Sequence, residues 1–241
     1  MADYLFRPVL CMTIAFSLLW TAELLGQDKS VAPDINKAFV KPNIAEFQGK
    51  FEVEGREAFE HRDEIVKACR ISEGMTVADV GAGTGLFSRL FSPLVGSKGT
   101  VLAVDISEDF LRHIHDAALE EGLKNIRTVL CKQDSVELPD SSVDLVFACD
   151  TYHHFEYPAK TLASIHRALK PRGRLIIVDY QRIEGQSTEW VMGHVRAGLE
   201  VVEKEINGAG FKRVGELKDV LKENYFVEFE RVESAEHQSG K

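Results

Sequence analysis

Three glycines at 81, 83 and 85, each followed or preceded by a small residue, interrupt an apolar run and constrain this 241-residue chain more than any other segment. In Thr76-Val-Ala-Asp-Val-Gly-Ala-Gly-Thr-Gly85 the residues before the break read as a buried strand, and helical periodicity resumes after it. The segment therefore predicts strand, tight turn and helix start. Glycines in such a turn permit positive φ and remove the Cβ atoms that would keep a ligand away from backbone. A second strand, Val101-Leu-Ala-Val-Asp105, ends in an acid. At the end of the neighbouring strand of an open α/β sheet, a carboxylate is placed to accept hydrogen bonds from the two hydroxyls of a ribose. Turn and acid together imply a nucleoside-containing ligand.

The spacing discriminates among nucleosides. Dinucleotide sites use G-x-G-x-x-G; here Leu86 stands where the last glycine of that pattern belongs. No G-x-x-x-x-G-K-[ST] is present, so no lysine is poised for phosphates. An acid followed by G-x-G-x-G resembles the first motif of the class I S-adenosylmethionine-dependent methyltransferases. The resemblance continues in order along about residues 55 to 232. Cys131-Lys-Gln-Asp134-Ser135 is similar to the family's acidic segment for the adenine amino group. Asp144-Leu-Val-Phe-Ala-Cys-Asp150 resembles its fourth strand, and Thr151-Tyr-His-His154 the stretch beside the sulfonium. Leu169-Lys-Pro-Arg-Gly173-Arg-Leu-Ile-Ile-Val-Asp179 resembles its fifth strand and the turn before it, with Arg172 where a second glycine is usual.

Alternating apolar runs predict strands at 75–80, 100–105, 126–131, 143–149 and 173–180. Helices are predicted at 85–93, 108–121, 158–169 and 188–208, a pattern that gives parallel strands covered on both faces. Residues 53–70, with apolar positions at 58, 59, 65, 66 and 69, suit a helix with one buried face. The last runs, 211–217 and 225–232, lie too close together for a helical crossover and must pair antiparallel. The resemblance likewise implies a Rossmann-like, doubly wound, mostly parallel seven-stranded sheet with an antiparallel last strand. The expected organisation is a leader at 1–26, an irregular segment at 27–54 lying across the domain, the S-adenosylmethionine-binding domain at 55–233 and a polar tail at 234–241.

A net charge of −9 argues against a nucleic-acid partner, since phosphate backbones are bound by Lys and Arg clusters. A small-molecule acceptor fits better. Arg7 and the apolar run from Pro8 to Ala22 read as a secretory leader, with a small residue at Gly26. Extended to Gly26, the run also makes a marginal membrane anchor. Export would part the enzyme from a methyl donor made in the cytosol, so a cytoplasmic location is the alternative. Cys11 falls in the expected leader, and the remaining Cys69, Cys131 and Cys149 form neither a disulfide framework nor a metal knuckle and read as small core residues.

The resemblance implies cofactor contacts from Asp79, Gly81, Ala82, Gly83, Gly85, Asp105, Ile106, Asp134, Ser135 and Asp150, with S-adenosylmethionine as cofactor. Asp79 would order the glycine turn and reach the methionine portion. His153 and His154 are the candidates for a general base, since histidine can accept a proton near neutral pH; the family also carries such a pair for packing. A metal is not expected, because adjacent histidines usually diverge and neither H-x-x-x-H nor a carboxylate triad accompanies them. Arg56, Arg62, Tyr180, Arg182, His194 and Arg196 are further candidates for the acceptor. The alternative to an enzyme is a non-catalytic exported or anchored module that keeps the fold.

Overall fold

The structure is a computed structural model that describes residues 27–232; the leader expected at 1–26 and the tail expected at 234–241 lie outside the described residues. Seven strands form one sheet: β1 (Thr76–Val80), β2 (Thr100–Asp105), β3 (Ile126–Leu130), β4 (Val143–Cys149), β5 (Leu169–Tyr180), β6 (Phe211–Glu216) and β7 (Asn224–Arg231). Their order is β3-β2-β1-β4-β5-β7-β6. β1 pairs parallel with both β2 and β4, whereas β7 inserts antiparallel between β5 and β6. The expected architecture is therefore present, including the inserted last strand.

Side chains alternate strictly between two cores, as strands covered on both faces require. Val146, Ala148, Leu175 and Ile177 face one side. There Leu162 and Ile165 of α6 (Pro158–Ala168) and Val202 and Ile206 of α8 (Leu199–Gly208) cover them. Leu145, Phe147, Ile176 and Val178 face the other. That side is closed by Ile65 of α3 (Arg62–Ala68), Phe87 and Phe91 of α4 (Leu86–Val95) and Ile114 of α5 (Glu108–Glu120). α5 starts where its sequence dictates, with Ser107 Oγ accepting from the Phe110 N–H and Glu108 and Asp109 in the first turn.

Three predicted elements come out differently. The segment expected to be irregular contains a helix, α1 (Ile44–Phe51), capped by Asn43, whose side chain accepts from the Glu46 N–H. The helix expected at 53–70 is broken at His61 into α2 (Glu57–Glu60) and α3, and only Ala58, Ile65 and Cys69 of its apolar face are fully buried. The helix expected at 188–208 is two: α7 (Glu189–His194) and α8, parted by an extended stretch in which Val195 is buried and Gly198 caps the second helix. Arg172, where the family's glycine is usual, adopts φ +61 on the exposed bulge of β5, so the backbone keeps the left-handed conformation although the residue has changed.

The covering segment is clipped to the sheet by one buried carboxylate. Glu57 accepts from the backbone N–H groups of Lys222, Glu223 and Asn224 at 2.5, 2.9 and 2.7 Å, which is where the chain enters β7. Its removal strands three donors, each costly if left buried without a partner. Glu57→Ala should lower stability by about 1–3 kcal/mol, read as a reduced urea midpoint with an unchanged slope, and an unaltered midpoint would show that these donors find other partners.

Candidate active site

The chain reverses its winding between β1 and β4, and ligands of open α/β sheets bind outside the carboxyl ends of strands at such a point. A cavity of about 750 Å³ opens there. Its floor is the glycine turn, its sides are Asp105, Ile106, Cys149 to Thr151 and His153 to Phe155, and its roof comes from Phe39, Phe47 and Phe51 of the segment before β1.

The three glycines do different work. Gly83 has φ +54, and a Cβ added there would point into the cleft, 3.3 Å from the Phe51 ring. Gly85 caps α4 at φ +81, but a Cβ there would meet Ile114 at 2.7 Å. Gly85 does not line the cavity, so it serves helix packing and not ligand approach, contrary to the expectation that all three face a ligand. Gly81, Ala82 and Ile106 do line it.

Asp105, 5% exposed, accepts from the Gly83 N–H through Oδ2 and from the Ser107 N–H through Oδ1, both at 2.9 Å. A carboxylate has about four acceptor positions, so each oxygen keeps one for a ligand hydroxyl. Burial raises its pKa to about 6, against the lowering effect of these backbone bonds. Asp79, behind the turn, accepts from Ser88 Oγ at 2.6 Å, and burial raises its pKa to about 7. It lines the cavity as expected.

Two expected contacts are not brought to the wall. Lys132 and Ser135 exchange backbone hydrogen bonds across a tight turn, and this leaves Asp134 and Ser135 outside the cavity lining while Cys131, Lys132, Gln133 and Val136 enter it. Asp150 does line the cavity, with both its oxygens already engaged by protein side chains and only Oδ1 keeping a second acceptor position. Oδ2 accepts from Arg56 Nη2 at 2.7 Å and Nε at 3.2 Å, and Oδ1 from Asn224 Nδ2 at 2.6 Å. Burial works against the Arg56 charge, yet Asp150 holds its pKa above the ordinary value. Arg56 is thus a strut and not a free clamp.

Other candidates are likewise engaged. Arg62 lies over Phe59, Arg182 donates to the Met192 carbonyl, and Arg196 pairs bidentately with Glu205. None of these three lines the cavity, whereas Tyr180 and His194 do.

The far wall is aromatic and imidazole-rich. The turn Tyr152–His154 is a single 3-10 turn, and it sets the His153 and His154 rings against each other, tilted by 44° with centroids 4.2 Å apart. His194, at the end of α7, lies 5.2 Å from each and stacks on Trp190 at 4.8 Å. His153 Nδ1 hydrogen-bonds Asp179 Oδ1 at 2.7 Å, and its N–H donates to Oδ2 at 3.0 Å. Burial opposes protonation of His153, but the Asp179 charge prevails and raises its pKa. His154 has no such partner; burial, then His153 and His194, lower its pKa to about 3.

The expectation that the histidines diverge therefore fails, because the short turn holds two rings together and a residue forty positions downstream supplies a third. Sequence reasoning also missed Asn36, Phe39, Phe47, Phe51 and Trp190. Asn43 followed by Glu46 and apolar residues at 47 and 51 is the helix-start signal that would have found the roof.

Residues 78–177 match the methyltransferase domain family. The chain is 31% identical over 117 residues to the ubiquinone/menaquinone biosynthesis C-methyltransferase UbiE of Marinomonas sp. (strain MWYL1), which takes in 48% of this chain and 47% of that protein. It spans about half the length of the curated relatives it matches. A SAM dependent methyltransferase from Aquifex aeolicus superposes with a TM-score of 0.69 at 28% identity, over 80% of this chain and 100% of that one. The [4+2]-cyclase SpnF shares the fold alone, with a TM-score of 0.63 at 16% identity over 76% of this chain and 86% of that one. Joined to the glycine turn, the acid ending β2 and the inserted antiparallel strand, these likenesses show the fold of the S-adenosylmethionine-dependent methyltransferases, with the methyltransferase-domain match falling on residues 78–177.

Proposed function

We propose that this protein transfers a methyl group from S-adenosylmethionine to a small, largely apolar acceptor held against the aromatic and histidine wall. The observation that carries the reading is the glycine turn lining the cavity at Gly81 and Gly83, with the buried carboxylate of Asp105 bonded to its Gly83 N–H. The residues present fit the cofactor: a side chain at 83 would fill the space, and Asp105 keeps free acceptor positions for ribose hydroxyls. Asp79 faces the same floor, within reach of a methionine amino group in this reading.

When bound, S-adenosylmethionine supplies an already activated methyl group, so the chain's part is to orient the acceptor and exclude water. Phe39, Phe47 and Phe51 form an apolar cover over that space. The Arg56–Asp150 strut keeps the cover closed on the β4 end. His153 and His154 are the groups that handle the acceptor's polar end. Of the two, His153 is oriented by Asp179, whereas His154 is too weak a base to hold a proton at neutral pH. A quinone-type ring would suit the aromatic wall, and the name of the curated relatives supports that class. Asp134 and Ser135 would join the adenine pocket only if the Lys132–Ser135 turn refolds around the ligand.

Calorimetric titration of the full chain with S-adenosylmethionine, S-adenosylhomocysteine and NAD tests the reading. Micromolar binding of the first two and none of NAD is expected, and preference for NAD would refute it. Asp105→Ala should weaken S-adenosylhomocysteine binding by about tenfold or more, through loss of charge-assisted hydrogen bonds. Gly83→Val should abolish binding in a folded protein; normal affinity would show that no ligand approaches this turn.

The pH dependence follows from the raised pKa of Asp105. Above about 6 the carboxylate is ionised and accepts strongly, and below it the proton occupies an acceptor position. Affinity for S-adenosylhomocysteine should therefore fall as pH drops from 8 to 5, and Asp105→Asn should remove that step; an equal pH dependence in the variant would assign the titration elsewhere. His153→Asn should leave this affinity nearly unchanged while slowing release of S-adenosylhomocysteine with hydroquinone acceptors, and equal losses in both would return His153 to packing.

A further inference from the structure

The histidine cluster has features that methyl transfer alone does not require. One coordinating nitrogen from each of His153, His154 and His194 lies within 4.8 Å of the others. His154 Nδ1 is buried and has no hydrogen-bond partner, an uncommon state for a buried polar atom and a cost unless something occupies it. His153 is oriented from behind by Asp179, which is itself fixed by the Tyr180 N–H at 2.7 Å. Carboxylate behind imidazole is the arrangement that fixes the tautomer and ring direction of a metal-bound histidine. His194 is braced by the Trp190 ring. All three histidines line the cavity.

We propose that His153, His154 and His194 bind a divalent first-row transition metal of zinc type at the acceptor end of the cleft. Three imidazoles are the donor set such ions favour, and a three-histidine site leaves a coordination position open for a water or substrate oxygen. Metal–nitrogen bonds of about 2.1 Å place tetrahedral ligands roughly 3.4 Å apart. The cluster must therefore tighten modestly. His194 can do this by a side-chain rotation, because it closes a six-residue helix at the cavity edge and is only half-buried. Asp179 supplies compensating negative charge on the protein side.

The site names a substrate class for the proposed methyl transfer, on which this consequence rests: an acceptor carrying an ionisable oxygen, such as a phenol or enol, bound through that oxygen as its anion. In the loaded protein His153 serves as a ligand through Nε2, and the acceptor's proton leaves to solvent on coordination. No redox step is involved.

The metal itself is measured first, independently of activity. The full chain is stripped with EDTA, dialysed, and titrated with Zn²⁺ and Co²⁺. One equivalent retained after gel filtration is expected by elemental analysis, with the visible absorption of a low-symmetry Co²⁺–histidine centre. His194→Ala and His154→Ala should each lose the equivalent and the absorption, whereas His115→Ala, at an exposed histidine of α5, should keep both. Circular dichroism and binding of S-adenosylhomocysteine show that the variants are folded with the cofactor pocket intact. Retained metal in both cluster variants, or sub-stoichiometric binding to the unaltered chain, would overturn the site. Failure to bind S-adenosylhomocysteine alongside normal metal binding would instead count against the methyl-transfer reading, so the two fail separately.

Discussion

The carboxylate of Asp105 ties the end of β2 to the turn that follows β1, accepting from the Gly83 N–H on one side and the Ser107 N–H on the other. That one group fixes three things at once. It holds the glycine turn in its left-handed conformation, sets the start of α5 beside the Ser107 cap, and stands at the cavity with acceptor positions remaining. Burial raises the cost of its charge, and the raised pKa reports that cost. A ligand bearing two hydroxyls would offset it, which is a physical reason for a binding site to keep an acid where a hydrophobic residue would pack with less penalty.

The cover over the cleft depends on a second set of buried charges. Arg56 spans from the Phe51 carbonyl to Asp150, and Asp150 passes the linkage to Asn224 at the start of β7. Next to it, Glu57 gathers the three N–H groups that lead into the same strand. The segment before β1 is thereby fastened to the last strand of the chain. A buried pair of this kind adds little net stability over well-packed apolar residues, but breaking one partner is costly. Its value is positional. The strut fixes where the roof aromatics sit relative to the end of β4, and hence how much room the acceptor has. Arg89 repeats the device further out, pairing with Glu52 at the end of α1 and with Glu121 after α5.

The sheet was legible because its signals are local and repeated. Apolar runs of strand length separated by amphipathic segments gave every strand to within a few residues, and the short gap between Phe211–Glu216 and Asn224–Arg231 was enough to reverse the last pairing. Asp79, Gly83 and Asp105 reach the cavity wall because each is defined by its place at a strand end. For Gly85 and Asp150 the sequence gives a position but not its neighbours. Ile114 packs under one, and Arg56 with Asn224 engages both oxygens of the other. Asp134 stands away from the cavity lining because a two-residue difference within a tight turn decides which side chains meet it. The roof escaped because Asn36 to Phe51 mixes one proline, one glycine and scattered aromatics, a composition with no period until the Asn43 cap is recognised.

The histidine wall shows the limit of spacing as a guide to chemistry. Ligand motifs read from sequence assume that neighbours in space are a helical turn apart, as in H-x-x-x-H. Here the grouping depends on two irregularities: a 3-10 turn after β4 that brings adjacent rings together, and a break between α7 and α8 that ends the first helix at His194. A continuous helix through 188–208 would have continued past His194 without pausing at the cavity. Arg196 and Glu205 pair across that break, and Tyr152 donates to the same Glu205, so the turn bearing the histidine pair and the stretch that follows His194 share one half-buried ionic node. The shape of the acceptor end is thus set by Glu205, a residue outside the cavity. A change there would move His153, His154 and His194 relative to one another while leaving Asp105 and the glycine turn where they are. Cofactor binding and acceptor handling are in this sense built on separate supports: the first on a carboxylate joining β2 to β1, the second on a carboxylate joining the end of β4 to α8.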